Sequence, residues 1–383
     1  MSNVVYIGVD DRDIDLFESQ YYVPQGMCYN SYLVKGEKLA VMDTVDKRKC
    51  SEWLSKLEAA LQGKTPDYLV VQHMESDHSG SISAFMAKYP DAAIVCSLQA
   101  SKFILNFNEN LKAEIKVVKE GDTLDLGNGM TLSFVAAPMV HWPEVIMTYL
   151  AAEKTLFSAD GFGKFGVYDA DADNWTPEAR RYYFNICGKY GDNVAAVLKK
   201  AAGLEIAKIA PLHGPVLEGE KMAEALRLYT LWSAYVPEEP DTVLVAHASI
   251  HGHTKAAALQ FAQLLRDKGA KVIVKDLTRD DMAGVVEDAF KVGKIVLASS
   301  TYDASLFPPM HYFLYKLSIK GFKRRRFGII ENGTWAPMAA KHIKAMLEPM
   351  KEIEIAEPVV SLKSALKSTD APQMQALAEA MLA

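Results

Sequence analysis

Apolar residues along this chain come in short, dense runs, and each run ends on polar residues. Val4–Val9, Ser31–Val34, Leu39–Asp43, Thr65–Gln72, Ala93–Cys96, Ile115–Lys119, Thr131–Val140, Thr155–Ala159 and Ile206–Leu212 have strand length and are separated by turn residues such as Gly127, Asn128 and Gly129. Helical spacing appears between them, over Ser79–Lys88 with Ser79 as its cap and over Thr176–Lys200. Strands interleaved with helices in this way predict an α+β layering, a β-sandwich flanked by helices.

After Pro237, Glu238, Glu239 and Pro240 the pattern changes. Thr242–Ala248 is almost continuously apolar, and an amphipathic helix over Thr254–Asp267 follows a short loop of small and polar residues. Lys271–Lys275, Lys294–Ser299 and Phe327–Ile330 repeat the theme, which predicts an α/β, doubly wound parallel sheet with a ligand crevice at its carboxyl edge. Two domains are therefore expected, 1–239 and 240–383, and 383 residues is a suitable length for both.

The strand ends carry the candidate chemistry. His73, Glu75, Asp77 and His78 follow one run, His141 another, Asp160 a third and His213 a fourth. Buried imidazoles and carboxylates are costly unless a cation compensates them, so their recurrence at strand ends points to a metal pocket. In an extended backbone His73, Glu75 and Asp77 would alternate onto one face. In the second half, Ser249, Ile250, His251, Gly252, His253 and Thr254 sit between strand and helix, the place where backbone amides and hydroxyls hold a phosphate. Ser300, Thr301, Tyr302, Asp303 and Ala304 close one later strand, and Glu331, Asn332, Gly333, Thr334 and Trp335 close the next. These hydroxyls, a flexible glycine and two aromatics suit a flavin ring.

His73–Glu75–Asp77–His78 with Ser79-Gly80-Ser81, His141-Trp142-Pro143-Glu144, Ser158-Ala159-Asp160 and Leu212-His213-Gly214-Pro215 resemble the metal motifs of the metallo-β-lactamase superfamily in its flavodiiron form. Glu75 stands where the hydrolases carry a second histidine. The resemblance covers essentially the whole chain, because the second half resembles a flavodoxin domain. It implies a metallo-β-lactamase-like αββα sandwich followed by a flavodoxin-like sheet, FMN, and two non-haem irons. His73, Glu75 and His141 would hold one iron, Asp77 and His213 the other, with Asp160 between; His78 is kept outside the ligand set. Such carboxylate-rich sites suit redox-active iron and also admit zinc, manganese or cobalt. His251 in place of an aromatic, Asp303 and Ala304 in place of asparagines, and the Asn332–Trp335 loop depart from the family pattern.

The implied activity is reduction of dioxygen to water, of nitric oxide to nitrous oxide, or both. Electrons would come through FMN from an external donor: rubredoxin, since no such module is expected within the chain, or a deazaflavin coenzyme or flavin reductase. A homodimer, head to tail, or a dimer of dimers is implied in the same way. The alternatives are a hydrolase of the glyoxalase II or β-lactamase type with an accessory flavodoxin domain, and an electron carrier or redox sensor whose metal site is structural. A net charge of −6 argues against nucleic acid, and the basic run Lys323–Arg326 reads as a solvated approach to a strand or a docking patch for an acidic carrier. Cys28, Cys50, Cys96 and Cys187 lack paired spacing, and no apolar stretch reaches membrane-spanning length, so a cytoplasmic protein without membrane contact is expected. Tyr29, Trp142 and the loop Gly161–Tyr168 are candidate walls and roof of the metal pocket.

Overall fold

The computed structural model describes residues 3–170 and 174–383, which form two compact units, Met1–Thr230 and Leu231–Ala383. The division falls before the expected 239/240 break because the intervening residues are tied to the second unit. Tyr235 packs on Phe290, its carbonyl accepts from Arg325 Nη1 at 2.9 Å, and Glu239 already begins the strand Glu239–Ala248.

In the first unit, one mixed sheet runs Val4–Tyr6, Tyr32–Lys35, Leu39–Met42, Tyr68–Val71, Ala93–Ser97, Ile115–Val118. The other runs Thr123–Asp125, Thr131–Ala136, Ile146–Leu150, Thr155–Phe157, Lys208–Ala210, Leu217–Glu218. Alternation along the strands explains their packing. Val34, Met42, Val70 and Val95 from the first sheet meet Leu132, Phe134, Ile146, Leu150 and Phe157 from the second in one buried cluster. The intervening Leu33, Val41, Leu69 and Ile94 are equally buried, so these strands are covered on both faces, as a parallel centre requires. Helices Cys50–Leu61 and Ile82–Lys88 bring in Trp53 and Phe85, whose rings lie 6.1 Å apart.

The strands are shorter than the apolar runs. Thr65–Gln72 yields only Tyr68–Val71, and Thr131–Val140 leaves its sheet after Ala136. The residues beyond each strand become the loops that carry the polar side chains. Ser79 is not a cap: it closes the short helix Ser76–Ser79, and its hydroxyl donates to Met74 O at 2.8 Å. The expected helix Thr176–Lys200 is two, Trp175–Ile186 and Gly191–Ala201, parted at Gly188–Tyr190 where glycines interrupt the spacing.

The second unit is a parallel sheet in the order Val272–Asp276, Glu239–Ala248, Val292–Tyr302, Arg325–Asn332, Ile353–Ile355, with Val360–Leu362 also paired to Arg325–Asn332. The first strand lies inside its successor, so the chain winds both ways from it, as in flavodoxin-like sheets. The basic run is not a free patch. Arg325 is buried and donates to carbonyls of Tyr235 and Phe290, Arg324 pairs with Glu352, Arg326 with Glu354, and Lys323 lies over the Tyr235 ring.

Phe157 is fully buried between the sheets, against Tyr32 at 5.3 Å, three residues before Asp160. Phe157→Ala should lower the stability of the first unit by about 3–5 kcal/mol. Chemical denaturation should show its transition moving to lower denaturant while that of the second unit stays in place.

Candidate metal centre and cofactor pocket

The strands Thr155–Phe157 and Lys208–Ala210 are parallel, and so are Leu39–Met42, Tyr68–Val71 and Ala93–Ser97. Their carboxyl ends deliver the polar residues to one edge of the sandwich. Bonds between loops lock that edge: Ile146 N donates to Gln72 O at 3.1 Å, and Asn30 N to Leu212 O at 2.8 Å.

Two clusters result. His73, Glu75, His141 and Asp160 have one potential ligand atom each within 4.8 Å of one another, and so do Asp77, His78 and His213. Asp160 faces both. Its Oδ2 lies 3.3 Å from His73 Nε2 and 3.0 Å from His141 Nε2, while its Oδ1 lies 3.4 Å from His78 Nε2 and 3.7 Å from His213 Nε2. Thus the three residues expected to share one face do not. The chain turns helical at Ser76, so His73 and Glu75 enter the first cluster and Asp77 the second. The same helix brings in His78, expected outside the set; its Nε2 is 3.0 Å from His213 Nε2 and 3.1 Å from Asp77 Oδ2.

Metal fit is tested by the atoms left over. His73 Nε2 and both carboxylate oxygens of Asp77 and of Asp160 are buried without a hydrogen-bond partner. Two imidazole nitrogens facing each other at 3.0 Å cannot both be bare acceptors. A cation in each cluster satisfies all of these at once. Burial alone would push His73 down, but Asp160 and its neighbours hold it well above the usual imidazole range. His141 and His78 are likewise raised, to about 9 and about 10, by Asp160 with Glu75 and by Asp77 with Asp160, against the opposing effect of burial.

Several supporting residues carry no periodic signal: Glu144 and Ala159 stand in the sequence motifs without a role, and nothing in the sequence singles out Asp43 or Cys28 as a support. Glu144 accepts from Met74 N and lies 2.8 Å from His73 Nδ1, which leaves His73 Nε2 facing the cluster. Asp43 accepts from Gln72 N at 2.7 Å and from Gln72 Nε2 at 2.8 Å, pinning the turn before His73. His213 Nδ1 lies 2.7 Å from Cys28 O. Ala159, buried next to Asp160, has φ of 50°, a backbone that residues other than glycine seldom adopt.

A cavity of about 250 Å³ opens beside the clusters, lined by Glu75, Asp77, Tyr29, Trp142, Arg48 and Glu18 among others. Tyr29 and Trp142 are therefore walls. The loop Gly161–Tyr168 does not line this cavity and packs elsewhere: Phe162 stacks on Tyr229 at 4.1 Å, and Phe165 meets Tyr182 edge-on at 5.1 Å.

In the second unit, Ser249, Ile250, His251, His253, Thr254, Ser300, Thr301, Tyr302, Asp303, Ala304, Asn332, Gly333, Thr334 and Trp335 line one cavity of about 700 Å³, joined by Ala336 and Ser364, which the sequence did not single out. Gly252 caps the helix His253–Asp267 with φ of 92°. At Gly333 a Cβ would come within 2.8 Å of Pro337, so glycine alone fits there. Trp335 is 89% exposed and Tyr302 45%, a pair of aromatic faces beside the cavity.

The ODP family beta lactamase model matches residues 27–214. Anaerobic nitric oxide reductase flavorubredoxins of Vibrio vulnificus and Aliivibrio fischeri are each 30% identical over 357 residues, covering 90% of this chain and 72% and 71% of theirs. Rubredoxin oxygen:oxidoreductase from Desulfovibrio gigas superposes with a TM-score of 0.93 at 24% identity, over 99% of this chain and 96% of that one. The flavodiiron protein of Giardia intestinalis does so with 0.90 at 25%, over 99% and 94%. A metallo-β-lactamase-like unit with a carboxylate-rich double cluster, joined to a flavodoxin-like unit, defines a class of redox proteins rather than hydrolases. The chain belongs to the flavodiiron protein family and is an oxidoreductase.

Two outcomes are expected from metal binding. Protons on His78 and His141 near neutrality must leave when a cation enters, so affinity should climb with pH by about tenfold per unit for each proton displaced. Calorimetry with zinc in buffers of different ionisation enthalpy should detect their release. Removing the carboxylate behind His73, as in Glu144→Ala, should weaken binding by about 10–100-fold at constant pH in the same titration.

Proposed function

We propose that the chain reduces dioxygen to water, nitric oxide to nitrous oxide, or both, at a non-haem diiron site served by FMN. The observation that carries this is the Asp160 carboxylate, which turns one oxygen to each of two ligand clusters in a chain that also has a flavodoxin-like cavity. His73, Glu75 and His141 would hold one iron, Asp77 and His213 the other, and Asp160 would bridge. The Nε2 of His78 favours adding it to the second set. When bound, ferrous ions and flavin supply electrons and open coordination positions.

The protein's own residues do the rest. Glu144 holds His73 in one orientation and Cys28 O does the same for His213. Phe17, edge-on to His213 at 5.4 Å, and Trp142, edge-on to His73 at 5.3 Å, exclude water beside the clusters. A cavity this small suits a diatomic gas better than an extended ester. The hydroxyls of Ser249 and Thr254 and the first amides of the helix His253–Asp267 would hold the phosphate of FMN, and Tyr302 and Trp335 would contact its ring.

Nitric oxide is named for the vibrio relatives and oxygen with rubredoxin for the Desulfovibrio protein, which supports both gases and a rubredoxin-type donor here. A head-to-tail homodimer, or a dimer of dimers, would bring one subunit's flavin to the other's metals. Among the described residues no helix is long and apolar enough to cross a membrane, and four free thiols suit a reducing, cytoplasmic compartment.

Reduced, iron- and FMN-loaded protein mixed anaerobically with each gas should reoxidise rapidly with at least one. Asp160→Ala should abolish this and lose iron while remaining folded by circular dichroism. Slow reoxidation by both gases, together with thioesterase activity in the zinc-loaded protein, would overturn the reading in favour of the hydrolase.

A further inference from the structure

The lip of the metal cavity is a hairpin with no signature in the sequence. Leu16–Phe17 pairs with Tyr21–Tyr22, turning Leu16 and Tyr22 outward and burying Phe17 and Tyr21. The buried pair fixes the hairpin: Phe17 and Tyr21 both pack on Phe165, and Tyr21 Oη donates to Asn185 O at 3.1 Å. Arg181 Nη2 donates to Tyr22 O at 2.7 Å from the other side. At the tip Glu18 and Ser19 both adopt positive φ, 48° and 55°, where glycine is the usual occupant. An anchored but unfavourable turn therefore holds a glutamate that lines the cavity and still reaches solvent.

Gas reduction consumes protons along with electrons. Dioxygen takes four of each to become two waters, and two nitric oxides take two of each to become one nitrous oxide and one water. The external donor supplies the electrons; the protons must come from bulk water through the cavity mouth. Among the described residues four acids line that cavity, Glu18, Asp46, Glu75 and Asp77. Glu75 and Asp77 belong to the clusters, and Asp46 is held by Arg48 Nε and Nη2 at 3.0 and 3.3 Å. Among the described residues Glu18 accepts only from the neutral amide of Gln20, at 3.1 Å.

We propose that Glu18 carries protons from solvent into the metal cavity during gas reduction, taking each from water at the rim and giving it to the reduced gas or to an intervening water. This rests on the gas-reductase reading. The charged groups facing Glu18 are Glu75 at the start of the helix Ser76–Ser79 and Asp77 within it, Asp46 and Arg48 from the cavity wall, and His141 from the loop after Thr131–Ala136. Partial desolvation at the cavity rim and the charge of Glu75 push its carboxyl up to about 7, near the working range of a group that must load and unload. A cation on Glu75 weakens the second cause and leaves the placement unchanged.

The test compares iron- and FMN-loaded Glu18→Gln and Glu18→Asp with the parent protein. Glu18→Gln should keep its iron and flavin but turn over at least about tenfold more slowly, with Glu18→Asp closer to the parent and small weak acids such as formic acid restoring the rate. Infrared difference spectra over a pH series without gas should contain a carboxylic-acid band titrating above the ordinary glutamate range that is missing from Glu18→Gln. Full turnover in Glu18→Gln, a loss that weak acids do not restore, loss of iron, or absence of the band would each overturn the proposal. A parent protein inert to both gases fails the underlying reading instead, and the infrared result stands apart from it.

Discussion

Asp160 sits under four imidazoles, two per carboxylate oxygen, at an edge of the sandwich from which water is nearly excluded. That arrangement is unfavourable as a set of bare side chains. Negative and positive groups partly compensate one another, but the oxygens of Asp160 and Asp77 lack hydrogen bonds, and two imidazole nitrogens meet face to face. A pair of cations turns the same geometry from cost to stabilisation. Much of the surrounding structure makes sense as support for it: Asp43 pins the approach to His73, Glu144 orients the ring, and Ala159 accepts a left-handed backbone so that Asp160 points inward.

How much of this could be read from the residues alone followed the length of the pattern. Parallel strands covered on both faces leave apolar runs that are easy to see, and the residues that end them are forced to one edge, so His73, His141, Asp160 and His213 were legible. The flavodoxin-like unit was legible for the same reason, down to most of the residues around its cavity. What failed was local. The single helical turn Ser76–Ser79 is too short to leave a period, yet it sends Asp77 and His78 to a different cluster from His73 and Glu75.

Features stabilised by contacts distant in sequence left no trace either. The Leu16–Tyr22 hairpin has strands of only two residues and is held by Phe165, Asn185 and Arg181. Asp43 looks like an ordinary acid at a strand boundary until the loop that it binds is in place, and Glu144 is visible in its motif without its role. The basic run Lys323–Arg326 misleads in the opposite sense. Of its two readings the approach to a strand holds, since Arg325–Asn332 begins there, whereas the partner surface does not: Arg325 is spent on backbone carbonyls inside the second unit.

Both cavities lie where strands stop. Among the described residues no side chain from the apolar cluster between the sheets, Phe134, Leu150 or Phe157 for instance, lines the metal cavity; its walls come from loops, the Leu16–Tyr22 hairpin, the short helix Ser76–Ser79 and the small strand Met27–Tyr29. Evolution can therefore rewrite the reaction by exchanging loops while the apolar core between the sheets is left alone. A histidine traded for Glu75 is the kind of small edit that moves such a scaffold between breaking bonds with water and handling electrons.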